Sequence, residues 1–235
     1  TTTLKHMLDD SEGYSVRYFS LNMLSPAARA SLAAPGTEPL GFKRLTAKGE
    51  VLVSDTNAPA SHRHIVFEHT LINDGNDGMV RAIERRSVDG LPLLIDYWSS
   101  YRGVAMLSVQ RGLPARNLAA PIMSVRSVST WKSMANMQEH TTYDYVANYG
   151  YGDPLRPSLK LERRCMSGTF HDAGKIAPGL TGQAIDLTCD DINGSGAKSA
   201  QSDFVWLRQY GVALVTKLTT LNGITSFKYD SVTAQ

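Results

Sequence analysis

His62-Arg63-His64 has the spacing of a paired metal ligand on a strand. Residues two apart in an extended chain project to the same face, so both imidazoles point one way, as two ligands to a zinc-type ion must. Glu68 continues that face and offers an oxygen, whereas His69 falls on the opposite face and does not join. The chemistry such a set would support is metal-assisted hydrolysis. A pair of surface or partner-contacting histidines accounts for the same residues.

A second oxygen-rich segment, Asp191-Ile192-Asn193-Gly194-Ser195-Gly196, matches the front half of a calcium loop, with Asp191, Asn193 and Ser195 as ligands and glycine at the sixth position. The bidentate glutamate due at position twelve is Ser202. A polar turn is the competing reading. The aromatic set Tyr143, Tyr145, Tyr149 and Tyr151, with Trp131 upstream, suits a recognition surface, because tyrosine combines apolar area with a hydroxyl. Packing on the sheet is its plainer use. Met123, Met134 and Met137 nearby suit either an adaptable groove or a core.

Covalent chemistry finds no support. There is no Gly-x-Ser-x-Gly elbow and no glycine-rich phosphate loop between a strand and a helix. His140 and His171 each adjoin an acid, Glu139 and Asp172, but neighbours on a strand face opposite ways and form no dyad. No catalytic residue is nominated and no cofactor is expected.

The two cysteines carry the firmest expectation. Leu161, Arg163 and Cys165 share one strand face, and Ile185, Leu187 and Cys189 share another. Adjacent antiparallel strands joined through 168–182 bring both sulfurs together on the core side. A Cys165–Cys189 disulfide follows, and with it an oxidising setting, periplasmic or secreted.

The elements that must position these residues are short stretches of period-two alternation. They fall at 14–24, 50–54, 64–72, 80–88, 93–97, 103–110, 122–131, 143–149, 158–170, 182–189, 204–220 and 224–232, with 204–211 also fitting a helical turn. Asn73-Asp74-Gly75-Asn76-Asp77-Gly78, Asp89-Gly90 and Asn222-Gly223 supply hairpin turns. Ser25-Pro26 and the alanines after it predict one short helix to about Ala34. The fold class expected is mainly β: an antiparallel sandwich or barrel-like sheet with one or two short helices. Residues 1–235 read as a single β-rich domain, with division into two β units near 112–157 as the alternative.

A 42% hydrophobic and 20% charged composition is that of a folded globular chain, and no apolar run is long enough to span a bilayer. The net charge of +2 excludes a strongly basic nucleic-acid binder. Arg85-Arg86 and Arg163-Arg164, each preceded by a glutamate, read as a solvated sheet face. The function class left by these exclusions is a non-catalytic, exported bacterial binding or interaction protein, of which an inhibitor or immunity-type protein is one form. Its partner is a protein or an apolar envelope ligand, with the membrane periphery as a further setting. A metal-assisted hydrolase using His62 and His64, and a structural subunit of the cell envelope, are the alternatives.

Overall fold

The structure, a computed structural model, describes residues 2–32, 39–57, 64–75, 77–153 and 155–235. Its strands are β1 (Arg44–Asp55), β2 (Ile65–Ile72), β3 (Met79–Val88), β4 (Leu91–Tyr101), β5 (Ala105–Leu113), β6 (Leu118–Ala119), β7 (Met123–Trp131), β8 (Thr142–Tyr151), β9 (Leu159–Asp172), β10 (Gln183–Asn193), β11 (Lys198–Leu207), β12 (Val212–Thr220) and β13 (Gly223–Ala234). Each strand pairs antiparallel with its neighbours in the chain, apart from the two-residue β6, which lies beside β5. β13 returns to β1 in a register running from Leu45↔Ala234 to Asp55↔Gly223. The result is a closed antiparallel barrel of 12 strands. The β5–β7 seam is short, pairing only Ser108 with Ser124 and Val109 with Met123, and the β12–β13 ladder runs only from Lys217↔Ser226 to Thr220↔Gly223.

Turn chemistry sets the hairpins. Asp89 and Gly90 both have positive φ, 50° and 77°, the conformation that a two-residue turn matched to strand twist demands. The last hairpin turns at Leu221-Asn222, one residue before the expected pair, so that Gly223 already belongs to β13. The 204–220 stretch is two strands and not one, reversing at 208–211 with Gly211 at φ 68°. Its ambiguity has a packing cause. Val205, Leu207, Val212 and Leu214 on the outer face are covered by Leu180 and by Leu40 and Phe42, so both faces of the sheet are apolar there.

Gly49 lies where the β1–β13 register shifts. A Cβ there would sit 1.8 Å from the carbonyl oxygen of Lys228. Gly49→Ala is therefore expected to lower stability by about 2 kcal/mol, because backbone must move to make room. Thermal unfolding reads this directly, and an unchanged midpoint would mean that the strands approach less closely at this bulge.

Three helices precede the barrel: α1 (Thr2–Asp9), α2 (Ser11–Phe19) and α3 (Pro26–Ser31). α3 is the helix that Ser25 and Pro26 predict; the Ser25 hydroxyl accepts from the amide of Ala28. α2 overturns the strand expected over 14–24. Asp10 caps it by accepting from the amide of Gly13, and the helix buries Tyr14, Ser15 and Phe19 while leaving Val16 exposed. The alternation of Tyr14, Val16 and Tyr18 is overridden by packing: Leu4, Met7, Tyr14 and Phe19 cover Ile83, Ile95 and Tyr97 on the outer face of β3 and β4. The Tyr14 hydroxyl donates to Gln110 Oε1 at 2.7 Å, and Arg81 Nη1 donates to the Ser15 hydroxyl at 2.7 Å.

Candidate functional site: the barrel lumen

In a closed barrel, alternate residues of every strand face inward, and residues in register share a face. Following the register from β1 to β5 gives one continuous inward row: Ala47, His69, Glu84, Asp96 and Arg111. Leu71, Ala82, Trp98 and Val109 form the adjacent row. On the far wall Tyr145, Arg163 and Asp191 are in register, next to Tyr143, Cys165 and Cys189.

These walls enclose a cavity of about 200 Å³. His69, Glu84, Asp96 and Trp98 line one side, and Arg163 and Phe204 the other. Val109, Val215, Leu218 and Phe227 make the remaining lining largely apolar. That volume is below the range of roughly 300–1,000 Å³ usual for drug-sized ligands, so it suits a small ligand or part of a longer one.

The charges in the lumen are matched in pairs. Arg86 Nε donates to Glu84 Oε2 at 2.6 Å, on the same strand face two residues away. Arg111 makes a two-bond fork with Asp96, at 2.8 and 2.6 Å. Arg163 makes another with Asp191, at 2.6 and 2.8 Å, and its remaining nitrogen donates to the carbonyl of Val104 at 2.7 Å. The polar row grades from buried His69 to Arg111, whose side chain is 51% exposed and stands at the edge of the site. Glu84 is almost fully buried; desolvation raises its pKa, the nearby Asp96 adds to that, and Arg86 works against it. With a guanidinium bound to each carboxylate, the row is built to hold charge in place.

His69 is the exception. It is 3% exposed, its ring meets Trp98 edge-on at 4.9 Å, and neither ring nitrogen has a hydrogen-bond partner among the described residues. Burial, followed by the positive charge of Arg86, pushes its pKa down to about 3. The sign of the linked stability effect is fixed by that direction. The unfolded chain takes up a proton below about pH 6.5 and the folded chain does not, so stability is present above that pH and is lost as the pH falls toward 3. Between pH 7 and 5 the loss is about 2 kcal/mol. Glu84 contributes with the opposite sign, since its raised pKa favours the folded state as the pH falls toward the ordinary carboxylate value. His69→Phe is expected to remove the His69 component. Urea unfolding of both proteins at pH 7 and pH 5 isolates it, and an equal acid loss in the two would contradict the buried neutral imidazole.

The sequence-predicted residues fall in different places. Cys165 and Cys189 stand opposite each other on β9 and β10 with Cα atoms 4.0 Å apart and an S–S bond of 2.02 Å. Tyr143, Tyr145 and Tyr149 share a face, as their parity requires, but that face is the lumen wall and all three are buried. They are core, not an exposed recognition surface; Tyr151 alone of the four reaches solvent appreciably, and the side chain of Trp131 lies outside the described residues. Asp191 spends both carboxylate oxygens on Arg163, while Asn193 Oδ1 accepts from Ser195 and Ala197, so these residues build a hairpin turn and do not converge on one point. His62 lies outside the described residues. His64 is exposed, 3.8 Å from Glu50, and Glu68 pairs with Lys48 at 3.1 Å on the outer face. Among the described residues no group of three or more metal-ligating side chains is assembled.

Sequence reasoning missed His69, Glu84, Asp96 and Arg111 as a set. Their signal was present in part: His69 has the parity of Ile65, Phe67 and Leu71, which marks it as inward-facing.

No family model matches the chain, and no curated protein matches it. Among solved structures it is similar to one described as a beta-barrel-like protein of domain of unknown function DUF1849 from Brucella abortus. The two share 7% sequence identity with a TM-score of 0.46, over 83% of this chain and 99% of that chain.

Proposed function

We propose that this chain is a non-catalytic binding protein that holds a small, largely apolar ligand in the barrel lumen. The observation that carries the reading is the cavity between β2–β5 and β9, β11, β12 and β13, apolar over most of its lining and flanked by a buried imidazole with no partner among the described residues. An apolar enclosure with a few convergent polar groups is the usual form of a small-molecule site. The carboxylates in it are each engaged by arginine, which suits fixed recognition better than proton transfer. The Cys165–Cys189 bond supports an oxidising compartment, hence a periplasmic or secreted protein.

A neutral hydrophobic fluorophore, N-phenyl-naphthylamine, tests the reading. It should bind saturably at one site and quench Trp98, which lines the cavity. Val109→Trp fills the same space and should abolish binding while the far-ultraviolet spectrum stays that of a β protein. No saturable binding, or binding that survives the filled cavity, would remove the lumen as the site.

A further inference from the structure

We infer that the ligand is an uncharged amphiphile whose hydroxyl head hydrogen-bonds to His69 while its hydrocarbon part lies along the apolar lining. This rests on the lumen being a binding site and specifies what enters it.

The formal charges of the cavity are already balanced: Glu84 against Arg86, Asp96 against Arg111, and Asp191 against Arg163. An anionic head would meet Glu84 and Asp96, with each lining guanidinium already bonded to a carboxylate, and an ammonium head would meet Arg86 and Arg111. A charge brought in beside the buried His69 and Glu84 without a partner is disfavoured. Among the described residues, His69 is the lining side chain whose buried ring nitrogens have no hydrogen-bond partner.

A neutral imidazole presents one N–H donor and one bare nitrogen acceptor. A hydroxyl group is also both donor and acceptor, so it pairs with either nitrogen whichever carries the proton. The depressed pKa keeps the ring neutral throughout the physiological range, so its pairing preference does not change there. Trp98, edge-on to His69, and Phe227 and Leu218 supply the apolar contact for the attached chain. Arg86, the cation that contributes to that depression, is itself held by Glu84 and lies over the Phe227 ring at 5.1 Å.

Octan-1-ol, octanoate and octylamine have matched chains and differ in the head. Each is titrated at neutral pH against bound N-phenyl-naphthylamine on the whole protein. The alcohol is expected to displace the fluorophore at about one-tenth the concentration of either ion. In His69→Phe, which keeps the ring contact with Trp98 and loses both nitrogens, octan-1-ol should weaken about tenfold; in His69→Gln, which restores a donor and an acceptor, part of that loss should return. Octanoate or octylamine equalling the alcohol, an alcohol affinity unchanged in His69→Phe, or failure of all three to displace a fluorophore that does bind would each overturn the hydroxyl assignment while leaving the lumen reading intact. Failure of the fluorophore itself to bind strikes the lumen reading. The wild-type panel decides the head group even if a variant does not fold.

Discussion

Arg163→Ala is expected to cost about 3–5 kcal/mol of folding stability. The side chain is 8% exposed and its partner Asp191 is 11% exposed, so both ions have left water. Burial opposes the charge on Arg163. The neighbouring Tyr145 and the hydrogen-bonded carboxylate of Asp191 more than offset this and raise its pKa above that of a free guanidinium. Deleting the guanidinium strands a carboxylate in the wall of the barrel and frees the carbonyl of Val104 at the same time. The pair as a whole need not be stabilising, because desolvating two ions consumes most of what their attraction returns. The double substitution Arg163→Met with Asp191→Leu is therefore expected to recover most of the loss. Urea unfolding midpoints at constant slope measure both proteins. A loss below about 1 kcal/mol in Arg163→Ala would mean that solvent reaches this pair, and a double variant as unstable as the single one would assign the cost to lost packing.

Replacing both Cys165 and Cys189 by alanine, or reducing the bond, is expected to lower stability by about 3.5 kcal/mol. That figure is the chain-entropy value for a loop closed across 24 positions, the separation of the two cysteines. The bridge lies inside the barrel among Tyr143, Ile185 and Leu187, so the alanine variant also loses contacts that simple reduction keeps. Reduced wild type should then fall between the oxidised protein and the double variant. The cysteines sit one inward position from Arg163 and Asp191 on β9 and β10, close enough for the two losses to couple rather than add. Unreduced protein whose midpoint is insensitive to a strong reductant, with both thiols found free by mass measurement, would contradict the bridge and the oxidising compartment inferred from it.

Much of the wall was legible. Period-two stretches at 64–72, 80–88 and 143–149 are strands, Asp89-Gly90 makes its turn, and Ser25-Pro26 starts its helix. The charge pairs were legible only as surface. Glu84-Arg85-Arg86 and Glu162-Arg163-Arg164 look like solvated strand faces, and half of each is: Arg85, Glu162 and Arg164 point outward. Glu84, Arg86 and Arg163 point into the lumen, because alternation assigns a residue to a face without saying whether that face meets water. The histidine signal failed for a related reason. His62 and His64 attract attention by spacing, whereas His69 matters through partners on β3 and β4 that are distant in sequence.

By itself the sequence determined most of the strands, the Asp89-Gly90 turn and the parity that turns Cys165, Cys189, Tyr145 and His69 toward one side of the sheet, since these depend on backbone preferences and on neighbours two positions away. Tertiary structure alone decided that β13 pairs with β1 and turns that side into a closed interior, that residues 11–19 become a helix packed on the outside, and that four ionisable residues from four strands meet in one row. Each of those outcomes depends on long-range burial and strand register, in which the free energy belongs to pairs of segments and to neither segment alone.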